Sequence, residues 1–245
     1  MLRWEIVVVF AVSLGASGLY ALVSFIGSLT AGQSLGSQTA TLNGALSPRP
    51  LFDLFLQLTN ITLALAPVAL VFYLLARSGE GPRTIGLDLT QPGWDLLKGA
   101  ALAAIIGGSG LALYLTAYHL GASLNVVAED LPDVWWRIPV LIYSAAQNAT
   151  LEEVIVVGYL LTRLEQLNVR PARQIAISAL IRGSYHLYQG FGAFLGNATM
   201  GVIFAYLYKR YGRVTPLIIA HTLIDSVAFV GYALLAGHVS WLPKP

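Results

Sequence analysis

The sequence predicts an all-α membrane protein, a polytopic bundle of about seven transmembrane helices, within a range of roughly six to eight. Of its 245 residues, 56% are hydrophobic and only 11% are charged, whereas soluble domains carry about 25% charged residues. The chain contains no cysteine, which excludes disulfides, cysteine-ligated clusters and thiolate catalysis. It also lacks a basic cluster of the kind that binds nucleic acid. The expected surroundings are therefore a lipid bilayer, with no nucleic-acid partner.

The apolar segments follow one another without a second domain, so residues 1–245 are predicted to form a single membrane domain. Residues 1–136 hold N-terminal spans and loops, and residues 137–236 hold the spans that carry the candidate motifs. The first apolar run, from Ile6 to about Ile26, is longer than the apolar region of a signal peptide and predicts a retained span. The seven segments are residues 4–27, 51–76, 97–119, 138–163, 172–188, 191–208 and 214–236. The fifth and sixth are short and joined by LYQGFGAFLG, so they form either a re-entrant hairpin or two tight spans.

Loop charges predict the orientation. Lysine and arginine occur in the connections 77–98, 163–173 and 209–213. The alternate loop 28–50 is rich in serine, glycine and threonine with one arginine, and 120–136 carries acidic residues without a cation. Because cytoplasmic loops are enriched in lysine and arginine, we expect an integral protein of the plasma membrane with its N-terminus in the cytoplasm.

The last predicted spans carry ionisable residues that are rare inside a bilayer. A charged side chain at the bilayer centre costs roughly 2.5–3.5 kcal/mol on insertion scales and marks a functional candidate. The depth of each group is counted from the cytoplasmic end of the span that carries it, at residue 163, 173 or 213. The groups lie roughly 8–13 residues into their spans, or about 12–20 Å from the cytoplasmic end. Arg182 with His186, and His221 with Asp225, are i, i+4 pairs that share a helix face. The groups in this layer are Glu152, Glu153, Arg182, His186, His221 and Asp225.

The two adjacent glutamates occupy different faces of their helix. Glu152 shares a polar stripe with Asn148 and Arg163, whereas Glu153 is turned about 100° away. Asn148 is therefore a supporting polar candidate, and Asn197 on a later span is a second one.

Three stretches on successive spans carry a family resemblance: EEVIVVGYLL from Glu152, RGSYH ending at His186, and HTLID from His221 to Asp225. They resemble the motifs of the CAAX-protease and bacteriocin-processing (Abi) family of intramembrane proteases. That family's pattern is Glu-Glu-x-x-x-Arg, then Phe-x-x-x-His, then His-x-x-x-Asn/Asp. The resemblance covers roughly residues 140–236, and the order and spacing of the motifs agree.

The sequence departs from the family pattern at two positions. The motif arginine falls at Val157, and the motif phenylalanine falls at Arg182. An arginine at position 157 would be one helical turn after Glu153 and would neutralise it. We hypothesise that the cation has moved to the next helix and that Arg182 faces the carboxylates.

The resemblance implies hydrolysis of a peptide bond in a membrane-associated protein or peptide by a glutamate-activated water. Glu152 would be the general base, and Glu153 would be a supporting charge. His186 would orient the water or donate a proton. His221, held by Asp225, would stabilise the oxyanion.

The same residues are compatible with a metal ion. Two histidines and a carboxylate are adequate ligands for zinc, and here Glu152, His186 and His221 would supply them. The sequence has no His-Glu-x-x-His motif, and these side chains also serve a metal-free mechanism. The sequence leaves both alternatives open.

Two other functions remain open at the level of the sequence. Buried Glu, His and Asp side chains also form proton relays in transporters, although the internal repeat that many secondary transporters show is not recognisable here. The absence of arginine at Val157 instead favours a catalytically silent membrane scaffold or immunity protein of the same fold.

Two Gly-x-Ser-Gly stretches, GASG at 15–18 and GGSG at 107–110, match the pattern of rhomboid serine proteases. Glycine and serine are common where membrane helices pack closely. Neither stretch lies on the three spans of the ionisable layer, so both are interpreted as packing contacts.

Overall fold

Helices carry most of the chain in the computed structural model, which describes residues 1–239 and residue 242. The helices are α1 (Leu2–Ala11), α2 (Leu14–Thr30), α3 (Pro50–Leu63), α4 (Ala66–Arg77), α5 (Pro92–His119), α6 (Arg137–Glu152), α7 (Leu160–Gln166), α8 (Pro171–Tyr185), α9 (Phe191–Tyr211) and α10 (Thr215–Leu235). Two short strands, β1 (Thr39–Gly44) and β2 (Asn125–Asp130), complete the fold. The predicted all-α helical bundle is confirmed.

The described residues contain five or six candidate membrane spans, fewer than the seven predicted from the sequence, whose stated range was six to eight. Among the described residues, five helical segments are long and apolar enough to cross a bilayer: Pro50–Arg77, Pro92–His119, Arg137–Gln166, Phe191–Tyr211 and Thr215–Leu235. Helices α1 and α2 are bent by 51° and add a sixth span if they count as one. The predicted span 172–188 is instead the 15-residue helix α8, only about 22 Å long at 1.5 Å per residue. The structure therefore does not confirm a count of seven.

Helices α8 and α9 form a hairpin whose tip is covered by protein. After Tyr185, one short 3₁₀ turn leads directly into α9. The backbone N–H of Leu124 donates to the carbonyl of Gln189 at 3.1 Å. Gly190 has φ +109°, and a Cβ there would lie 2.8 Å from Cα of Ser123. Backbone that leaves a helix at membrane depth needs such partners, because hydrocarbon supplies none.

The two strands come from the connections 28–50 and 120–136. They pair in parallel, from Thr39 opposite Asn125 to Gly44 opposite Asp130. Parallel pairing needs partners far apart in the chain, so a single loop gives no sign of it.

Arg163 is fully buried in an ion network, although it was expected among the charges of a cytoplasmic loop. Its Nε lies 2.9 Å from Oε1 of Glu5, and its Nη1 pairs with Glu80. Tyr159, four residues earlier, also donates to Glu5, at 2.8 Å. The end of the glutamate-bearing helix is therefore tied to α1 and to the α4–α5 connection. Removing one partner of a buried ion pair typically costs about 3–5 kcal/mol, so this network fixes the helix firmly.

A second arginine joins the starts of α5 and α10. Arg213 Nη2 lies 2.5 Å from Oδ2 of Asp95 and 3.0 Å from Oδ1 of Asp88. Hydrogen bonds from Thr90, and then from Arg213, hold the pKa of Asp88 below its ordinary range.

Cysteine labelling tests the predicted orientation. The chain has no native cysteine, so each introduced cysteine is the only reactive thiol. Gln33 and Gln91 are exposed and lie in connections of opposite predicted sides. We expect Gln33→Cys to react with a membrane-impermeant maleimide in intact cells, and Gln91→Cys to react only after permeabilisation. The reverse pattern would contradict the orientation drawn from the loop charges.

Candidate active site

The two glutamates lie where their helix changes its hydrogen-bonding pattern. Residues Glu153–Tyr159 are π-helical between α6 and α7, whereas a continuous helix was predicted. The stretch VIVV that follows the glutamates is β-branched throughout and has low helix propensity. Ser178 on α8 donates its hydroxyl to the carbonyl of Val156 at 2.9 Å. Single π-helical turns within α-helices are frequent at functional sites.

Arg182 on α8 faces both carboxylates, as hypothesised from the sequence. Its Nη2 lies 2.6 Å from Oε1 of Glu153, and its Nη1 lies 3.4 Å from Oε2 of Glu152. The side chains of Arg182 and Glu153 are fully buried. Gly201 makes room for the arginine, because a Cβ there would lie 2.8 Å from Cα of Ala179 and 3.3 Å from Cδ of Arg182.

Glu152 has one oxygen held and the other facing a histidine. The hydroxyl of Tyr185 donates to Oε2 of Glu152 at 2.8 Å. Nε2 of His186 lies 3.7 Å from the other oxygen, Oε1, and has no hydrogen bond among the described residues. Nδ1 of the same histidine lies 3.3 Å from Nε2 of Gln189. Tyr185 was not among the site residues predicted from the sequence, although it lies within RGSYH three residues after Arg182.

His221 connects α10 to Glu153. Its Nδ1 lies 2.7 Å from Oε1 of Glu153, and its Nε2 lies 3.5 Å from Oδ2 of Asp225. Both ring nitrogens therefore face carboxylates. Asp225 has the more open position, with 19% of its side chain exposed compared with 5% for His221.

The two asparagine candidates lie outside this charged cluster. Asn148 is half-buried, one turn before Glu152. Asn197 donates to the carbonyl of Ala193 in its own helix at 3.0 Å. Within the described part of the chain, no hydrogen bond joins either asparagine to the glutamates.

A group of three possible metal ligands lies within the cluster. One ligand atom from each of Glu152, Glu153 and His221 lies within 4.8 Å of the other two. This group contains Glu153 in place of the predicted His186. Its fit to a metal ion is poor, because Oε1 of Glu153 already contacts both the Arg182 guanidinium and His221. A divalent cation bound to that oxygen would be repelled by the adjacent guanidinium.

The charged cluster coincides with a recognisable family segment. Residues 134–227 match the family model described as type II CAAX prenyl endopeptidase Rce1-like. This segment is Rce1-like. Over residues 134–227 the family resemblance predicted from the sequence is therefore confirmed, and the matched family is one of CAAX-type intramembrane proteases, which are hydrolases. No curated protein and no solved structure matches the chain.

The Rce1-like segment runs from just before α6 to just beyond Asp225, so it contains Glu152, Glu153, Arg182, His186, His221 and Asp225, the residues of the charged cluster. Within it, Val157 is fully buried in the apolar core, at the position where the family motif has its arginine. The cation of this site comes from α8 instead, through Arg182.

The buried ion pairs predict a large effect of removing the cation. Arg182→Met would leave two buried carboxylates without their guanidinium, and we expect the free energy of unfolding to fall by about 3–5 kcal/mol. Thermal unfolding in detergent measures this, with Arg173→Met on the exposed start of α8 as the matched control.

The double variant Arg182→Met/Glu153→Gln is expected to recover part of the loss, because it removes one of the unpaired charges. An Arg182→Met protein as stable as Arg173→Met would show that the contacts of this arginine contribute little to stability.

Proposed function

We propose that the protein is a glutamate-dependent intramembrane endopeptidase that hydrolyses peptide bonds of membrane-associated proteins or peptides. The observation that carries this proposal is the position of Glu152, whose Oε2 is held by Tyr185 while Oε1 faces His186. The Rce1-like match over the same residues supports it.

In the proposed reaction, Oε1 of Glu152 accepts a proton from a water molecule. The water oxygen then attacks the carbonyl carbon of the scissile bond and forms a tetrahedral oxyanion. As this intermediate collapses, the C–N bond breaks and the proton passes from Glu152 to the leaving amine. General base catalysis of this kind contributes typically about 10²–10⁴-fold to the rate.

His186 is the residue best placed to assist. Its Nε2 faces the same oxygen of Glu152, and its side chain is 18% exposed. We assign to it the orientation of the water or a hydrogen bond to the oxyanion, a type of contact whose loss costs about 10²–10³-fold in kcat.

His221 is better suited to a supporting role than to the oxyanion contact expected from the sequence. Its nitrogens face Glu153 and Asp225, so it holds Glu153 in place from α10. Arg182 holds the same carboxylate from α8. Together these contacts keep the negative charge of Glu153 beside the general base, Glu152, without displacing Glu152.

The catalytically silent scaffold is the second candidate, and it rests on the valine at position 157. Arg182 weakens that argument, because it supplies a cation to both glutamates from another helix. We also keep the plasma-membrane location and the cytoplasmic N-terminus as predictions from the loop charges.

The decisive experiment compares new protein N-termini in membranes from cells that express the wild type or Glu152→Gln. We expect a set of termini that appears only with the wild type, because glutamine cannot accept the proton from water. Labelling of the termini followed by mass spectrometry identifies them. Glu165→Gln on α7, a glutamate whose side chain is 68% exposed, is the matched control and should retain them.

Identical termini from the wild type and Glu152→Gln, at equal expression, would contradict the protease proposal and favour the silent scaffold.

A chelator tests the metal alternative. Because Arg182 contacts the oxygen that a zinc ion would need, we expect 1,10-phenanthroline to leave the Glu152-dependent cleavage unchanged in purified protein. Loss of cleavage that added zinc restores would instead show that Glu152, Glu153 and His221 bind a catalytic metal.

A further inference from the structure

A cavity of about 420 Å³ lies beside the charged cluster, between α2, the start of β1 and the end of α8. We name it the α2–β1 groove. Its lining includes Ser17, Ser24, Thr39, Ala40, Tyr185 and Tyr188. Tyr185 is shared with the active site, because its hydroxyl donates to Glu152. Tyr185 therefore links the wall of the groove to the carboxylate that we assign as the general base.

The strand β1 presents a free edge at this groove. It pairs with β2 on one side, and in the part of the chain that the structure describes the sheet has only these two strands. The N–H of Asn125 donates to the carbonyl of Gln38 at 2.9 Å, which fixes the side to which each residue of β1 turns its backbone groups. Thr39 and Thr41 consequently direct their N–H and C=O groups away from β2, and both residues are exposed.

The opposite wall of the groove is also polar. Ser17 and Ser24 on α2 are seven residues apart and share a helix face. Their hydroxyls have no hydrogen bond among the described residues, whereas the hydroxyl of Ser13, the residue before α2, donates to the carbonyl of Val9 at 2.5 Å. Ser17, the serine of GASG, thus lines a cavity. Gly18 beside it packs against Ser184, because a Cβ at position 18 would lie 2.8 Å from Oγ of Ser184.

We infer that the α2–β1 groove binds the substrate as an extended strand added to the free edge of β1. This inference rests on the proposed function and names how the substrate is held. Strand addition takes its affinity from main-chain hydrogen bonds, which suits an edge whose outward groups are backbone N–H and C=O. A lipid chain could satisfy neither these groups nor the serine hydroxyls.

Strand addition also solves a chemical problem for a protease in a membrane. In a membrane helix each carbonyl is hydrogen-bonded within the helix and covered by its side chains. The scissile carbonyl must leave the helix before water attacks it, and its neighbours then need new hydrogen-bond partners. The edge of β1 supplies these partners at a cavity that Tyr185 also lines.

Two variants test the groove. Thr41→Pro removes an N–H directed to the free edge and leaves the pairing with β2 intact. Ser24→Trp fills the groove from α2. The controls are Ala45→Pro, an exposed residue just beyond β1, and Val23→Trp, an exposed residue of α2 outside the groove. Each full-length protein is reconstituted in liposomes with a synthetic peptide that spans the most abundant Glu152-dependent cleavage site, and thermal unfolding confirms that it is folded.

We expect Thr41→Pro to raise KM roughly fivefold with kcat nearly unchanged, the effect of one lost hydrogen bond, and Ser24→Trp to raise KM further. Wild-type KM values in both variants would overturn the inference while leaving the proposed function intact. A defect in Ser24→Trp alone would also overturn it, because strand pairing would then be absent. If no Glu152-dependent cleavage site exists, the proposed function fails and the inference falls with it.

Discussion

The Arg182 guanidinium is the contact that allows several carboxylates to lie together inside the bundle. Glu152, Glu153 and Asp225 converge from two helices, and an unpaired buried charge is strongly unfavourable. The guanidinium contacts both glutamates from a third helix, and its planar shape places Nη2 against Glu153 and Nη1 toward Glu152. The packing around it follows from this requirement: Gly201 leaves the space, and the Phe204 ring lies 5.4 Å from its central carbon.

The helix that bears the glutamates is restrained along its whole length. Arg137 at its start pairs with Glu129 on β2, and Arg163 near its end pairs with Glu5 on α1. The π-helical turn lies between these two fixed points, where Ser178 provides a partner for a backbone carbonyl. A general base must be held to within a fraction of an ångström, and charged contacts at both ends of the helix provide that restraint.

The sequence revealed the layer of ionisable groups because two simple rules apply to it. Charges are rare in hydrocarbon, and helical periodicity places Arg182, His186, His221 and Asp225 on shared faces. The sequence could not reveal which carboxylate oxygen contacts which guanidinium or imidazole nitrogen, because these contacts depend on how α8 and α10 pack against the glutamates. Tyr185 was missed for the same reason. The β-strands were missed because their partners are more than eighty residues apart.

The shortness of α8 has a consequence for the surrounding lipid. At about 22 Å, this helix is shorter than the hydrocarbon core of roughly 30 Å, and Ile177 and Leu180 on it are exposed. A bilayer adapts to such a mismatch by becoming thinner beside the short segment. The membrane next to the carboxylates is therefore expected to be locally thin, which shortens the apolar path that water and a polar backbone must cross.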